Sequence, residues 1–486
     1  MKEMAQGRTR ILIIILLSLF LCGALSGHPW KPNHYVIVDT DGGTDDMKAI
    51  SMLLASPDVR VLAIIASPGV LSAENTYIKV KSLLNSFYHE GIPVGINSET
   101  RFTGREMPVA LEYTWGPENG IDPSTAPGYS DLVKATIEAE KTKFSFICLG
   151  GASTAWSVIR EIPEARSQIR DFIWSADGMS DTEGFNYNID KTSSRSLLRQ
   201  EIPVKIVRRA ISPGKQFYSE EFTDKIEKSG SVYADKISEF LRSETAGSHA
   251  FSFEATDEMV PLFLHFPELF INKTLGNVSD CSPSVSDEMK TSVLKILKGE
   301  TVERNQVIKI IPDDPSFYFD DIAPSVSTII NRYGIDEWTS GVIANELHRH
   351  LGVFAIVGVK MGIRAREYFN TGVDEFSVVS FAGSAPPLSC MNDGLQVSTG
   401  ATPGHGLLKV VNDQPLAPSA EFTYLGKKIR LTLKSELAQK ISSELQEINF
   451  IYGLDSNIYW ELVRKSSVNY WLSLDRHEIF DIEVVE

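Results

Sequence analysis

Residues 36–50 read VIVDTDGGTDDMKAI, and the order of residue types in this stretch decides the fold. Val36, Ile37 and Val38 form a short continuous apolar run, which suits a strand buried on both faces, and acids follow at once. Asp39, Asp41, Asp45 and Asp46 place four carboxylates within eight residues at the strand's carboxyl end. Gly42 and Gly43 let the backbone wrap closely, and a helical pattern begins at Asp46. If Thr44, Asp45 and Asp46 only capped that helix, one or two acids would be explained, but not four. Crowded carboxylates repel strongly at low dielectric, so a hard divalent cation held through oxygen resolves the conflict better than capping alone.

Working outward, apolar runs at 35–38, 61–65, 144–149, 172–175 and 204–207 alternate with helical patterns at 46–54, 73–88 and 154–162. This predicts an α/β fold: a mainly parallel sheet with helices on both faces and sites at the carboxyl ends of its strands. Residues 276–290, GNVSDCSPSVSDEMK, turn polar and read as a linker or long surface loop. Beyond them lie helical patterns at 322–333, within HLGVFAIVGVKMGIRAREYF (350–369) and at 435–448. Strand patterns fall at 376–381, 407–411 and 428–433, so this part reads as a C-terminal α+β domain. The expected boundaries are 1–26 for a leader, 27–300 for the first domain and 301–486 for the second.

With 486 residues, a net charge of -16 and a pI near 5.2, the chain lacks the cationic surface that would displace counterions from a phosphate backbone. A small-molecule ligand is expected and nucleic acid is not; homo-oligomerisation is left open. The opening MKEMAQGRTRILIIILLSLFLCGALSG carries Lys2, Arg8 and Arg10, an apolar run at 11–21 and then small residues. That layout predicts a secretory signal peptide cleaved near Gly27, with Ala24 and Ser26 flanking the site. The mature chain would then be periplasmic or extracellular and free of the membrane. An uncleaved anchor is one alternative, and a lipoprotein formed at Cys22 is another, although Leu21 is bulky for it. Without Cys22, the widely spaced Cys148, Cys281 and Cys390 make no disulfide framework.

DTDGGTDD after an apolar strand resembles the D-T-D-P-G-x-D-D signature of the inosine-uridine preferring nucleoside hydrolases, with Gly42 in place of proline. VLAIIASPG, ICLGGASTAWSVIREIPEARSQI, GFNYNID and EATDEMVPLFLHFPELF then follow like the family's later segments in the same order. The resemblance covers roughly residues 36–270. It implies calcium held by Asp41, Asp46, the backbone carbonyl of Ser153 and Asp257, with Asp41 orienting and deprotonating the attacking water. It also implies that Asp45 and Asn186 serve the ribose, and it leaves Asp39 as support. Three positions depart: Val70 stands where the family has a ribose-contacting asparagine, Gly184 where it has a glutamate and Thr256 where it has a histidine.

A second constellation lies in ELHRHLG (346–352) and SCMNDGLQVSTGATPGHG (389–406), where His348, His350 and Cys390 could converge on a soft metal. The plain alternative is surface histidines and a small buried cysteine. These segments resemble the domain family named for the E component of formylmethanofuran dehydrogenase, over roughly residues 319–433. That resemblance implies zinc or another transition metal at His348, His350 and Cys390, with Asp393, Gln396 and Thr399 around it. Ala401 replaces a second cysteine, and His405 stands where lysine is common.

The leading expectation is an exported, calcium-dependent hydrolase of N-glycosidic bonds in nucleosides or related ribosyl compounds. The runner-up is an exported binding protein that uses the same pocket without turnover, and a third reading gives the principal chemistry to the C-terminal domain.

Overall fold

The computed structural model describes residues 31–485 apart from 101–103, 178–183, 211–215, 285–286, 303–306, 309 and 414. The signal-peptide reading of residues 1–26, with Cys22, lies outside the described residues. Among the described residues no helix is long and apolar enough to cross a membrane. The chain divides into two compact units: residues 31–306 with Glu367–Thr371, and residues 307–366 with 372–486.

The first unit is built on an eight-stranded sheet. Its strands are β1 (His34–Thr40), β2 (Val59–Ala66), β3 (Val94–Ile96), β4 (Phe144–Cys148), β5 (Ile169–Ser175), β6 (Val204–Val207), β7 (Phe270–Leu275) and β8 (Val278–Pro283). Their order is β3-β2-β1-β4-β5-β6-β8-β7, and every neighbouring pair is parallel except the β7–β8 hairpin. Every residue of β2 and β4 is buried, so both faces of the sheet are covered. That is why these strands read as unbroken apolar runs rather than alternating ones. Helix α1 (Thr44–Ala55) follows β1, and its Met47, Ile50, Met52, Leu53 and Leu54 join the sheet's core.

The polar stretch 276–290 is not a linker. It contains strand β8 and the start of a helix, Asp287–Leu297. The reason lies in its position near the sheet's edge, where burying alternate residues is enough. Val278, Asp280 and Cys281 are buried, and Arg208 neutralises Asp280 with two hydrogen bonds of 2.5 and 2.6 Å.

The second unit carries a five-stranded sheet, β10-β9-β11-β12-β13, made by β9 (Ser377–Ser380), β10 (Leu408–Val410), β11 (Ser419–Tyr424), β12 (Lys427–Leu433) and β13 (Phe480–Val485). Only β9 and β10 pair in parallel. The unit also holds the helices Ile335–His348 and Met391–Thr399 and residues 353–366 of the helix Val353–Phe369. Glycines mark the closest helix approach: a Cβ at Gly358 would lie 2.1 Å from the Met391 carbonyl oxygen, and one at Gly394 would lie 2.1 Å from that of Ala355. The glycine punctuation seen in the sequence is thus a packing requirement, and it fixes the helix that carries Asp393.

Candidate functional site

In the large sheet the strand order reverses between β1 and β4, leaving a crevice at their carboxyl ends. The acidic stretch leaves β1 at this point, with Asp39 paired opposite Cys148 and its carbonyl accepting from the Leu149 amide at 2.8 Å. The N-cap of α1 is Gly43, with no side-chain cap bond. Asp46 instead turns back toward the strand: its Oδ1 accepts from the Thr40 hydroxyl at 2.6 Å and from the Asp41 amide at 3.1 Å. Helix capping therefore does not account for this acid.

Carboxylate oxygens of Asp45, Asp46 and Asp257 lie within 4.8 Å of one another, the last delivered from the segment just before the helix Met259–His265; Asp45, expected to serve the ribose, stands in this group, and Asp41, expected as a ligand, does not. Asp41, Asp46 and Asp257 are buried. Asp41 is boxed in by glycines: a Cβ at Gly69 would sit 2.2 Å from Asp41 Oδ2, and one at Gly150 would sit 2.8 Å from its Cβ. Only glycine admits this carboxylate between the ends of β2 and β4. Asp39 accepts from the Ser67 hydroxyl, which in turn meets Thr154 at 2.7 Å, and Asn97 donates to Thr154 at 2.8 Å. Asp39 is thus held by a polar chain behind the crevice.

Burial pushes Asp39 up to about 8 and Asp46 up to about 7, and it pushes Asp41 and Asp257 well above the usual carboxylate range, with the neighbouring acids adding to the effect at Asp41, Asp46 and Asp257. Asp41 Oδ2, Asp257 Oδ1 and Asp39 Oδ2 are buried without a hydrogen-bond partner. Orphaned oxygens among mutually repelling acids are the signature of a missing positive charge, and an all-oxygen donor set fits a hard divalent ion. Ser153, whose carbonyl is the expected fourth ligand, is buried in the first turn of the helix Ser153–Glu161.

Sequence reasoning missed a buried cation beside this cage. Lys48, fully buried on α1, pairs with Glu258 at 2.6 Å, and Glu258 also accepts from the Tyr218 hydroxyl at 2.9 Å. Lys48 donates to the Ser252 carbonyl as well, at 3.2 Å. The network anchors the segment that delivers Asp257. Its one sequence signal is a lysine inside an otherwise apolar helix face.

In the second unit, His348 ends the helix Ile335–His348, and Arg349 turns left-handed at φ 67°. The two histidines therefore lie at, and just past, a helix end. His348 Nδ1 meets Asp393 Oδ2 at 2.7 Å, its Nε2 is buried without a partner, and the His348 and His350 rings lie 4.2 Å apart. Gln396 donates to Asp393 at 3.4 Å. The Thr399 hydroxyl is turned to the Leu395 carbonyl, and His405 is engaged with Gly400 and Asp374. Burial raises the Cys390 thiol to about 11, with Asp393 adding to it. Among the described residues, groups of three or more ligands within 4.8 Å occur at Asp45, Asp46 and Asp257 and at His34, Asp58 and His265. His348, His350 and Cys390 do not form such a group, so holding one ion together would require side-chain movement.

Residues 36–312 match the family model of the inosine-uridine preferring nucleoside hydrolases. The chain belongs to this family. Residues 347–458 match a second family model, described as FmdE, molybdenum formylmethanofuran dehydrogenase operon. Among curated relatives, the pyrimidine-specific ribonucleoside hydrolase RihA of Escherichia coli O1:K1 is 23% identical over 224 residues, covering 42% of this chain and 70% of the relative. That of strain HS is 24% identical over 220 residues with the same coverage. Among solved structures, the purine-preferring ribonucleoside hydrolase from Gardnerella vaginalis aligns at TM-score 0.43 and 14% identity, covering 54% of this chain and 99% of that one. A plant nucleoside hydrolase, PpNRh1, aligns at TM-score 0.45 and 14% identity, covering 55% and 99%.

Within this nucleoside hydrolase-family region the departures have physical consequences. Val70 is buried in a small apolar cluster with Leu71 and Ala110, so its side chain presents no hydrogen-bonding group, although its backbone amide bonds Asp41. Gly184 has φ 84°, and a Cβ there would approach Asp177 to 3.0 Å, so a side chain is disfavoured. Asn186 donates to the carbonyls of Leu149 at 2.6 Å and Ser175 at 3.0 Å, which ties it to the ends of β4 and β5.

Proposed function

We propose that this chain hydrolyses the N-glycosidic bond of nucleosides or related ribosyl compounds, with calcium held by Asp41, Asp46, Asp257 and the Ser153 carbonyl. The observation that carries the reading is the pair of buried, unpartnered oxygens, Asp41 Oδ2 and Asp257 Oδ1, beside Asp45 and Asp46 at the strand switch point. Calcium, when bound, compensates the carboxylate charge and acidifies water next to it. Asp41 Oδ2, ionised once the cation compensates its neighbours, then takes the proton of the attacking water. Asp45, half-buried at the rim, accepts a ribose hydroxyl, and Asn186, whose amide nitrogen is spent on the Leu149 and Ser175 carbonyls, serves the same sugar through its carbonyl oxygen. The negative wall around them stabilises the positive charge that builds on the ribosyl ring as the base departs.

A second reading, capture of a nucleoside-like ligand without turnover, is favoured by one observation: Val70 and Gly184 supply no polar contact where the family places asparagine and glutamate. We further propose export through residues 1–26, supported by Lys2, Arg8, Arg10 and the apolar run after them. A transition metal such as zinc at His348, His350 and Cys390 is proposed on the unpartnered His348 Nε2 and the Asp393 that orients its ring.

Incubating the full chain with a panel of ribonucleosides and assaying free base separates the two readings. Base release supports hydrolysis; saturable binding without product supports capture. N-terminal sequencing of the mature protein from a secreting host tests the leader, and an intact Met1 would exclude cleavage.

A further inference from the structure

At the amino end of the same sheet, opposite the carboxylate cage, a second group of ligand-bearing side chains converges. His34 opens β1, Asp58 precedes β2 and His265 ends the helix Met259–His265. One ligand atom from each lies within 4.8 Å of the others. Asp58 is 96% buried, and His34 Nδ1 and His265 Nε2 are buried with no hydrogen-bond partner. The His34 and His265 rings meet edge to face at 5.3 Å, and His34 Nε2 stands 3.9 Å from Asp58 Oδ2, too far for a hydrogen bond. Asp58 is oriented from behind: Oδ1 accepts from the Asn33 amide at 2.8 Å and Oδ2 from its side-chain nitrogen at 3.0 Å.

Two imidazoles, each with a buried nitrogen that lacks a partner, stand beside a braced carboxylate and make no hydrogen bond to it. We propose that His34, Asp58 and His265 bind one divalent transition ion of the zinc type. The donor set decides the class: two imidazoles and one carboxylate suit borderline ions, whereas the all-oxygen cage at the other end suits calcium. Bonds of about 2.0–2.1 Å in a tetrahedral site place donors about 3.3 Å apart, so modest side-chain rotations close the group around an ion. Burial also holds both imidazoles below their usual pKa, His265 at about 4, which favours the unprotonated ligating form.

His34 also lines an adjoining cleft of about 300 Å³ together with Ser145, Arg170, Asp171 and Lys205. The ion would tie the start of β1, the start of β2 and a helix more than two hundred residues later into one clamp, binding the folded chain and not the unfolded one.

The test uses the full chain carrying His348→Ala, His350→Ala and Cys390→Ala, kept in excess calcium so that neither other candidate site takes up zinc. Equilibration with zinc, removal of free ion and elemental analysis should give one zinc per chain. Adding His34→Gln or His265→Gln, which keep size and polarity, should weaken zinc binding by more than about tenfold. The circular dichroism spectrum and calcium affinity of the variants control for folding. Zinc retained at full stoichiometry in both glutamine variants, or absent from the background protein, overturns the proposal. Should the variants fail to fold, cobalt(II) titration of the background protein decides. An intense tetrahedral visible spectrum without a thiolate charge-transfer band supports the site, and an octahedral, weakly coloured complex refutes it.

Discussion

The carboxylate cage of the first unit and the histidine–cysteine group of the second both hold donor-rich side chains, yet they differ in how far the fold has assembled them. In the first unit most of the work is done: oxygens from Asp45, Asp46 and Asp257 stand within 4.8 Å, Asp41 is held beside them by glycines although outside that group, and buried oxygens are left without partners. Around His348 one nitrogen is already satisfied by Asp393, the Cys390 thiol holds its proton, and the three donors are not gathered. A cage whose repulsion only a cation can relieve advertises its ligand even when empty. A set of neutral soft donors is comfortable without one, so its metal is written far less plainly into the geometry.

The sharpest way to break that contrast is to delete a ligand from the assembled site. Asp46→Ala or Asp257→Ala should abolish measurable calcium binding by calorimetry and lower base release by about 10³-fold or more, the scale of losing an activated nucleophile. Calcium affinity unchanged in both variants would mean that the cage is only a buried acidic knot. On the other side, Cys390→Ala should weaken zinc binding of the second unit by about 10- to 100-fold without altering calcium affinity. Equal zinc uptake would reduce Cys390 to a small packed side chain.

A third effect is a pH dependence confined to the calcium-free protein. Asp39 and Asp46, raised by burial to about 8 and about 7, keep protons in the folded chain over a range where the unfolded chain, with the usual value of 3.8, has released them. The folded state binds more protons there, so the contribution of these two acids to stability is full near pH 4 and below, declines as pH rises, and is lost once pH passes 7 to 8. Thermal melts in chelator should show the midpoint dropping over that interval, and calcium should remove the drop. A calcium-free midpoint that rises from pH 5 to pH 8 would contradict the protonated cage. The smallest expected effect is a gain: if the turn at Val70 faces the sugar as proposed, Val70→Asn adds an amide there and should lower KM about fivefold, one neutral hydrogen bond's worth. No change would indicate that the apolar cluster with Leu71 and Ala110 keeps this position out of the sugar's reach.

Much of the site was legible because its acids are local. Four carboxylates in eight residues after an apolar strand announce a cation, and the alternation of runs announces the switch point that gathers them. Asp257 lies more than two hundred residues away, so only resemblance to a family could place it. The Lys48, Glu258 and Tyr218 network and the His34, Asp58 and His265 group were invisible for the same reason: their members are far apart in sequence, and none sits in a distinctive motif. Strand β8 was misread because polarity was taken for exposure, although a strand near the sheet edge needs little buried surface and Arg208 neutralises its acid.

The most direct measurement is release of free base from a ribonucleoside panel by the full chain after chelation, after calcium is restored, and in the Asp41→Ala variant. Base release that is lost with chelator, recovered with calcium and missing from Asp41→Ala is the expected result. Release that persists in Asp41→Ala or ignores calcium, or saturable nucleoside binding with no product under any condition, would contradict a calcium-dependent hydrolase at the end of β1.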